Sequence, residues 1–167
     1  MTDGDSAFWR FSLRFYARRE IPPLCIRLQD ECGIDVNLLF FILFLSLSQR
    51  KLTADEVRRI DAAIRDWRAN VVQPLRAVRR NLKGGIAPVT ATDADTLRSA
   101  IKRDELAAER MQQEALEREF PAQSIGTVAA PRQAAAANIA AYGAVTTPIT
   151  AAAVATLLSA LTEEFSV

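Results

Sequence analysis

TADEVRRIDAAIRDWRANVVQPLRAVRRNLK, residues 53–83, decides the fold. Val57, Ile60, Ile64, Trp67, Val71, Leu75, Val78 and Leu82 recur along it every three or four residues. That is the period of a helix with one apolar face; a half-buried strand would alternate every second residue. Thr53 and Glu56 have the spacing of a capping box, in which each side chain satisfies a backbone N–H of the other at a helix start. Pro74 falls inside the stripe, where a missing N–H and a bulky ring bend a helix. Because the apolar stripe resumes in phase beyond it, the expectation is one long helix kinked at Pro74 and stopped at Gly84-Gly85.

Working outward, the same punctuation recurs upstream. A first helix is expected over Ser6 to Arg19, capped by Asp5 or Ser6, with Phe8, Phe11 and Phe15 on one stripe and Trp9, Leu13 and Tyr16 on its neighbour. Pro22 and Pro23 suit the first turn of a second helix. Gly33 suits the left-handed position that ends it. Asp35 caps a third, VNLLFFILFLSLS from Val36 to Ser48. That run is too short to span a bilayer, which needs about 20 apolar residues, so it is expected in the middle of a bundle.

Downstream, a fifth helix is expected from Thr92 or Asp93 to Phe120, then two pieces over Arg132–Tyr142 and Thr150–Phe165 in an alanine-rich stretch. No segment has strand periodicity. The reading is an all-α protein, an irregular helical bundle of five or more helices with a long Pro-kinked fourth helix. It divides into a bundle domain, 1–120, and a charge-poor C-terminal segment, 121–167, ending in an amphipathic helix.

Composition narrows the chemistry. The chain has 167 residues, half of them hydrophobic and a quarter charged, which is a globular balance. It has no histidine, so Ser-His-Asp and Cys-His nucleophile systems, His-ligated zinc or haem and Glu-x-x-His di-iron sites are excluded. No catalytic residue, metal ligand or cofactor is assigned, and an enzyme is the less favoured class. Cys25 and Cys32 lie seven residues apart, about 10 Å along a helix. A disulfide cannot reach that far, so both read as free thiols of a reducing cytoplasm. The acids in MTDGDSAFWRF do not fit a secretory signal.

Charge is divided along the chain. Residues 50–83 hold ten Lys or Arg against four acids, and residues 93–119 hold eight acids against five bases. Packed against each other, two such helices neutralise. The densest cluster, Arg76, Arg79, Arg80 and Lys83, is the candidate anion- or partner-binding site, because guanidinium groups grip carboxylate and phosphate in bidentate geometry. Pairing with the acidic helix and the helix dipole explain it without a ligand. Gln29, Asp30, Asp35 and Asn37 form a candidate polar network, with Asp30 or Asp35 expected to pair with Arg10, Arg76 or Arg80. Val154, Leu157, Leu158, Leu161 and Phe165 form a candidate partner stripe.

The sequences WRFSL at 9–13, CIRLQD at 25–30, GIDVNLL at 33–39, VVQPLR at 71–76 and RRNLK at 79–83 stand together with Ile101-Lys102, Glu105-Leu106 and Glu109-Arg110. Over residues 8–120 this combination resembles a proteobacterial family of unknown function, small proteins expected to be helical. The resemblance implies a bacterial, cytoplasmic protein and carries no activity.

Three functions follow for weighing. The first is a cytoplasmic helical interaction or adaptor protein whose partner is another protein or a second copy of itself. The second binds or processes a lipophilic or diphosphate-bearing small molecule in a cavity between helices, with the aromatic first helix and apolar third helix as lining. Asp30, Glu31 and Asp35 would then hold a divalent cation, and Arg76, Arg79 and Arg80 the diphosphate. The third grips nucleic-acid phosphates through the basic cluster; no recognition motif accompanies it, so it ranks last.

Overall fold

The computed structural model describes residues 6–167, so the alternative cap Asp5 lies outside the described residues. The protein is all-α apart from one minimal sheet. In chain order it runs α1 (Ala7–Tyr16), α2 (Ile21–Cys32), α3 (Val36–Leu47), β1 (Arg50–Lys51), α4 (Ala54–Trp67), a π-helical turn (Arg68–Val72), α5 (Gln73–Asn81) and α6 (Ala91–Glu119). A 3-10 turn (Ala122–Ser124), β2 (Thr127–Val128), α7 (Pro131–Val145) and α8 (Ala151–Phe165) complete it. The two strands pair antiparallel, Arg50 with Val128 and Lys51 with Thr127. They are too short to leave an alternating pattern.

The helix ends lie where local chemistry puts them. Ser6 accepts from the Trp9 N–H at 3.1 Å, and Asp35 from the Asn37 N–H at 2.8 Å. Thr53 and Glu56 close the capping box at 3.2 and 2.8 Å. Gly33 ends α2 at φ 64°, a left-handed conformation costly for a side chain. The start of α6 comes slightly earlier than expected, because Thr90 rather than Thr92 or Asp93 caps it, accepting from the Asp93 N–H.

Two compact units result, and they divide the chain elsewhere than at 120/121. One comprises Met1–Asp61 with Gln113–Val167; the other is Ala62–Gln112. The alanine-rich segment is therefore part of the first unit. That unit is built round α3, where nearly every side chain from Asn37 to Ser46 is buried. Such an all-round apolar helix needs cover on every side. Helix α1 covers one side with Phe8 on Phe41 (5.0 Å between centroids) and Phe15 on Phe40 (5.2 Å). Helix α7 packs along another.

Asn138 of α7 is completely buried and fully engaged. Its Oδ1 accepts from the Leu52 N–H at 2.7 Å, and its Nδ2 donates to the Ile42 and Arg50 carbonyls, each at 2.9 Å. Tyr142, one turn on, accepts from the Asp35 N–H at 2.9 Å. These two side chains tie α7 to both ends of α3. No helix among the described residues is long and apolar enough to cross a membrane.

Candidate functional site

The unit Ala62–Gln112 carries the chemistry the basic cluster suggested. It begins with the helix through Pro74. The chain does continue helically past the proline, but not in phase. A five-residue π turn, Arg68–Val72, precedes it, with the Gln73 N–H donating to the Arg68 carbonyl five residues back. Pro74 has no N–H to give, and in an α-helix its ring collides with the carbonyl four residues earlier. A wider turn relieves both problems.

One residue taken up by that turn changes which side chains face inward. Each residue of an α-helix advances about 100°, so absorbing one turns everything downstream by that angle. Ile60 and Ile64 are buried as expected, but the next buried residue is Val72, 2% exposed, rather than Val71. Arg76 and Arg79 follow Val72 at helical spacing. The continuation of the apolar stripe, Val71, Leu75, Val78 and Leu82, is only partly covered, and Val78 is 45% exposed. This corrects the expectation of one stripe in phase from Val57 to Leu82.

The inward arginines meet acids of α6. Arg76 donates from Nε to Glu105 at 2.8 Å and pairs with Glu109 through Nη2. Arg79 donates to both carboxylate oxygens of Glu105. Glu105 is only 5% exposed. Burial pushes its carboxyl up, but hydrogen bonds and charge from Arg79 and Arg76 outweigh that and hold it below the usual carboxylate range. For Arg76, burial works against the charge, and Glu105 and Glu109 more than restore it. Trp67 adds a neutral tie, its indole N–H donating to the Ala108 carbonyl at 3.0 Å. At the loop, Val89 donates to the Ile86 carbonyl at 2.8 Å, and both side chains are more than half exposed.

The basic cluster is thus split. Arg76 and Arg79 are committed to acids of the same unit, as the neutralising account anticipated; Arg80 and Lys83 are exposed. Gln29 is half-buried and Asp30 exposed. Asp35 is a helix cap, and Asn37 accepts from Gln113 Nε2 at 2.7 Å inside the first unit. Gln113 and Asn138 are residues the sequence reading does not single out. The signal for Asn138 was a lone amide in an alanine-rich helix; Gln113 stands among the many polar residues of α6 and carried none.

The C-terminal stripe is largely consumed internally. Leu157 and Leu161 are buried, and Phe165 stacks on Phe11 at 4.9 Å. Arg14–Glu164 and Arg18–Glu163 ion pairs clasp the same end. Val154 and Leu158 of the same stripe are half-buried. The aromatic rings expected to line a cavity pack on one another instead. An open apolar groove of about 350 Å³ lies along α7 and the start of α8, lined by residues including Ala140, Gly143, Ile149 and Val154. Among the described residues, no group of three or more His, Cys, Asp or Glu is placed to hold a metal ion. Asp30, Glu31 and Asp35 are not brought together as such a group.

A family described as a protein of unknown function (DUF2390) matches residues 7–116, about two thirds of the sequence. The chain belongs to that family. No curated protein and no solved structure matches. The DUF2390 segment contains α1 to α5 and most of α6, hence the π turn, the ion pairs and the apolar ridge. Helices α7 and α8 lie beyond it.

Proposed function

We propose that this DUF2390 protein is a cytoplasmic helical protein-interaction module, and that it engages another protein along Val71, Leu75, Val78 and Leu82. The observation that carries the reading is the outward turn of this ridge. Val78 is exposed and Val71, Leu75 and Leu82 are half-buried, while Arg76 and Arg79, half-buried themselves, are turned to the acids of α6. Contiguous exposed apolar surface marks interaction sites, and a helix read at i, i+4, i+7 is a recurrent docking geometry. Trp67 at one end and Ile86 and Val89 at the other add exposed apolar surface to the same unit.

A photo-cross-linking side chain at Val78 tests this in the producing cell, with Gln133 on the exposed side of α7 as the reference position. A discrete protein adduct is expected at position 78 and not at 133, and Leu75→Glu is expected to abolish it. An adduct with a second copy of the chain would make the partner itself. Equal, diffuse adducts at both positions would refute the ridge as a docking face.

A further inference from the structure

Residues 71–82 hold two sets of side chains at helical spacing, one of which faces the acids of α6. The set used is Val72, Arg76 and Arg79, completed by Glu105 and Glu109. The other is Val71, Leu75, Val78 and Leu82, which an uninterrupted α-helix would bring onto the face that Ile64, ahead of the π turn, already occupies. The two differ by one residue, about 100° of rotation. The π turn is where that residue is stored. Packed elements with two satisfiable arrangements adopt one or the other instead of deforming continuously.

Two features select the register seen. Pro74 opposes a regular α-helix through Asn70, and the ion pairs fix Arg76 and Arg79 against Glu105 and Glu109. Downstream, Gly84 takes φ of 89° in open space, whereas Gly85 (φ 80°) lies close against the backbone of Ala91, so a rotation of the helix would have to be absorbed at Gly84.

We infer that residues 68–82 are a two-register helix. Pro74 and the Arg76/Arg79–Glu105/Glu109 pairs latch it with the apolar ridge displayed, and release of the latch rolls it into α register and withdraws the ridge. Its meaning as control of partner binding rests on the docking role proposed above. The roll itself does not, and purified protein tests it alone.

Val72→Cys and Val78→Cys are placed singly in the full chain, with and without the pair Pro74→Ala and Glu105→Leu. Thiol labelling is followed site by site by peptide mass, and buried Cys25 reports global opening. In the latched chain, position 78 labels fast and position 72 slowly. With the latch removed, labelling is expected to slow about tenfold at 78 and quicken about tenfold at 72, at unchanged helical circular dichroism. Unchanged rates at both positions overturn the inference. So do rates that rise at both, which is unfolding rather than rolling. Should the double variant lose its helical signal, Glu105→Leu alone must show the same reciprocal change, smaller in size, or the inference fails. Reciprocal labelling without cross-linking at position 78 would leave the roll standing and remove the docking role.

Discussion

Replacing Asn138 by leucine should cost this protein a large part of its stability. Leucine keeps the branch at Cγ and leaves no cavity, but its methyl groups are bulkier than the amide, so any overpacking adds to the cost worked here. What is lost is three hydrogen bonds: one from the Leu52 N–H and two to the Ile42 and Arg50 carbonyls. An orphaned buried N–H costs about 1–3 kcal/mol, and each bond lost at a carbonyl costs about 1 kcal/mol. The sum is about 3–5 kcal/mol, against a total of about 5–15 kcal/mol for an ordinary domain. At about 2–4 °C per kcal/mol for a chain of this size, Tm should fall by about 10 °C. Urea unfolding followed by circular dichroism gives the free energy from the midpoint at a shared slope. Asn138→Asp is the companion. Its carboxylate still accepts from Leu52 but faces two carbonyl oxygens, and protonation converts one oxygen into a donor. Burial raises that carboxyl's folded-state pKa above its unfolded value, so this variant should regain stability as pH falls through the raised value. A loss below about 1 kcal/mol for Asn138→Leu would refute the accounting, because the Leu52 N–H would then have found another partner.

Three further outcomes follow from the same structure. Glu105→Gln should destabilise by about 1–3 kcal/mol at pH 7, since the arginines keep their desolvation and lose their counter-charge. Because the Glu105 carboxyl is depressed in the folded state, its contribution is complete above the unfolded carboxylate value and is lost as pH falls through the folded one; parent and variant should converge in acid, as urea midpoints across pH would record. Cys25 is pushed up to about 12 by burial, so a thiol reagent at neutral pH should modify Cys32 first and reach Cys25 only on unfolding, which peptide mass mapping resolves. A chain ending at Phe120 should lose cooperative unfolding of the first unit, because α3 would lose Asn138, Ile139 and Tyr142; calorimetry on that truncation would detect it.

Most of the helical framework was legible because capping is local. Ser6, Asp35, Thr53 and Thr150 each act within three residues of themselves, and Gly33 within five, so sequence spacing contains the whole interaction. Opposite charge on the fourth and fifth expected helices also carried through, into Arg76 and Arg79 on Glu105. The register past Pro74 was not legible. A stripe counted at 3.6 residues per turn runs straight through VVQPL, and nothing in Val71 versus Val72 tells which is inward. That choice is made by Pro74 and by acids about thirty residues away. The tail misled for a related reason: an amphipathic stripe tells that a face will be covered, and only the fold tells that Phe11 covers it.

The place of α3 in the chain has a consequence for how the protein is made. Its side chains are complete by Leu47, whereas α7, which covers one flank, begins at Pro131. At roughly 5–20 residues per second of synthesis, the most apolar helix waits several seconds to tens of seconds before its cover exists. Over that interval the nascent chain offers VNLLFFILFLSL to whatever binds apolar segments first. Yield in the cell should therefore track chaperone supply and translation speed between codons 48 and 145 more closely than it tracks the stability of the finished fold.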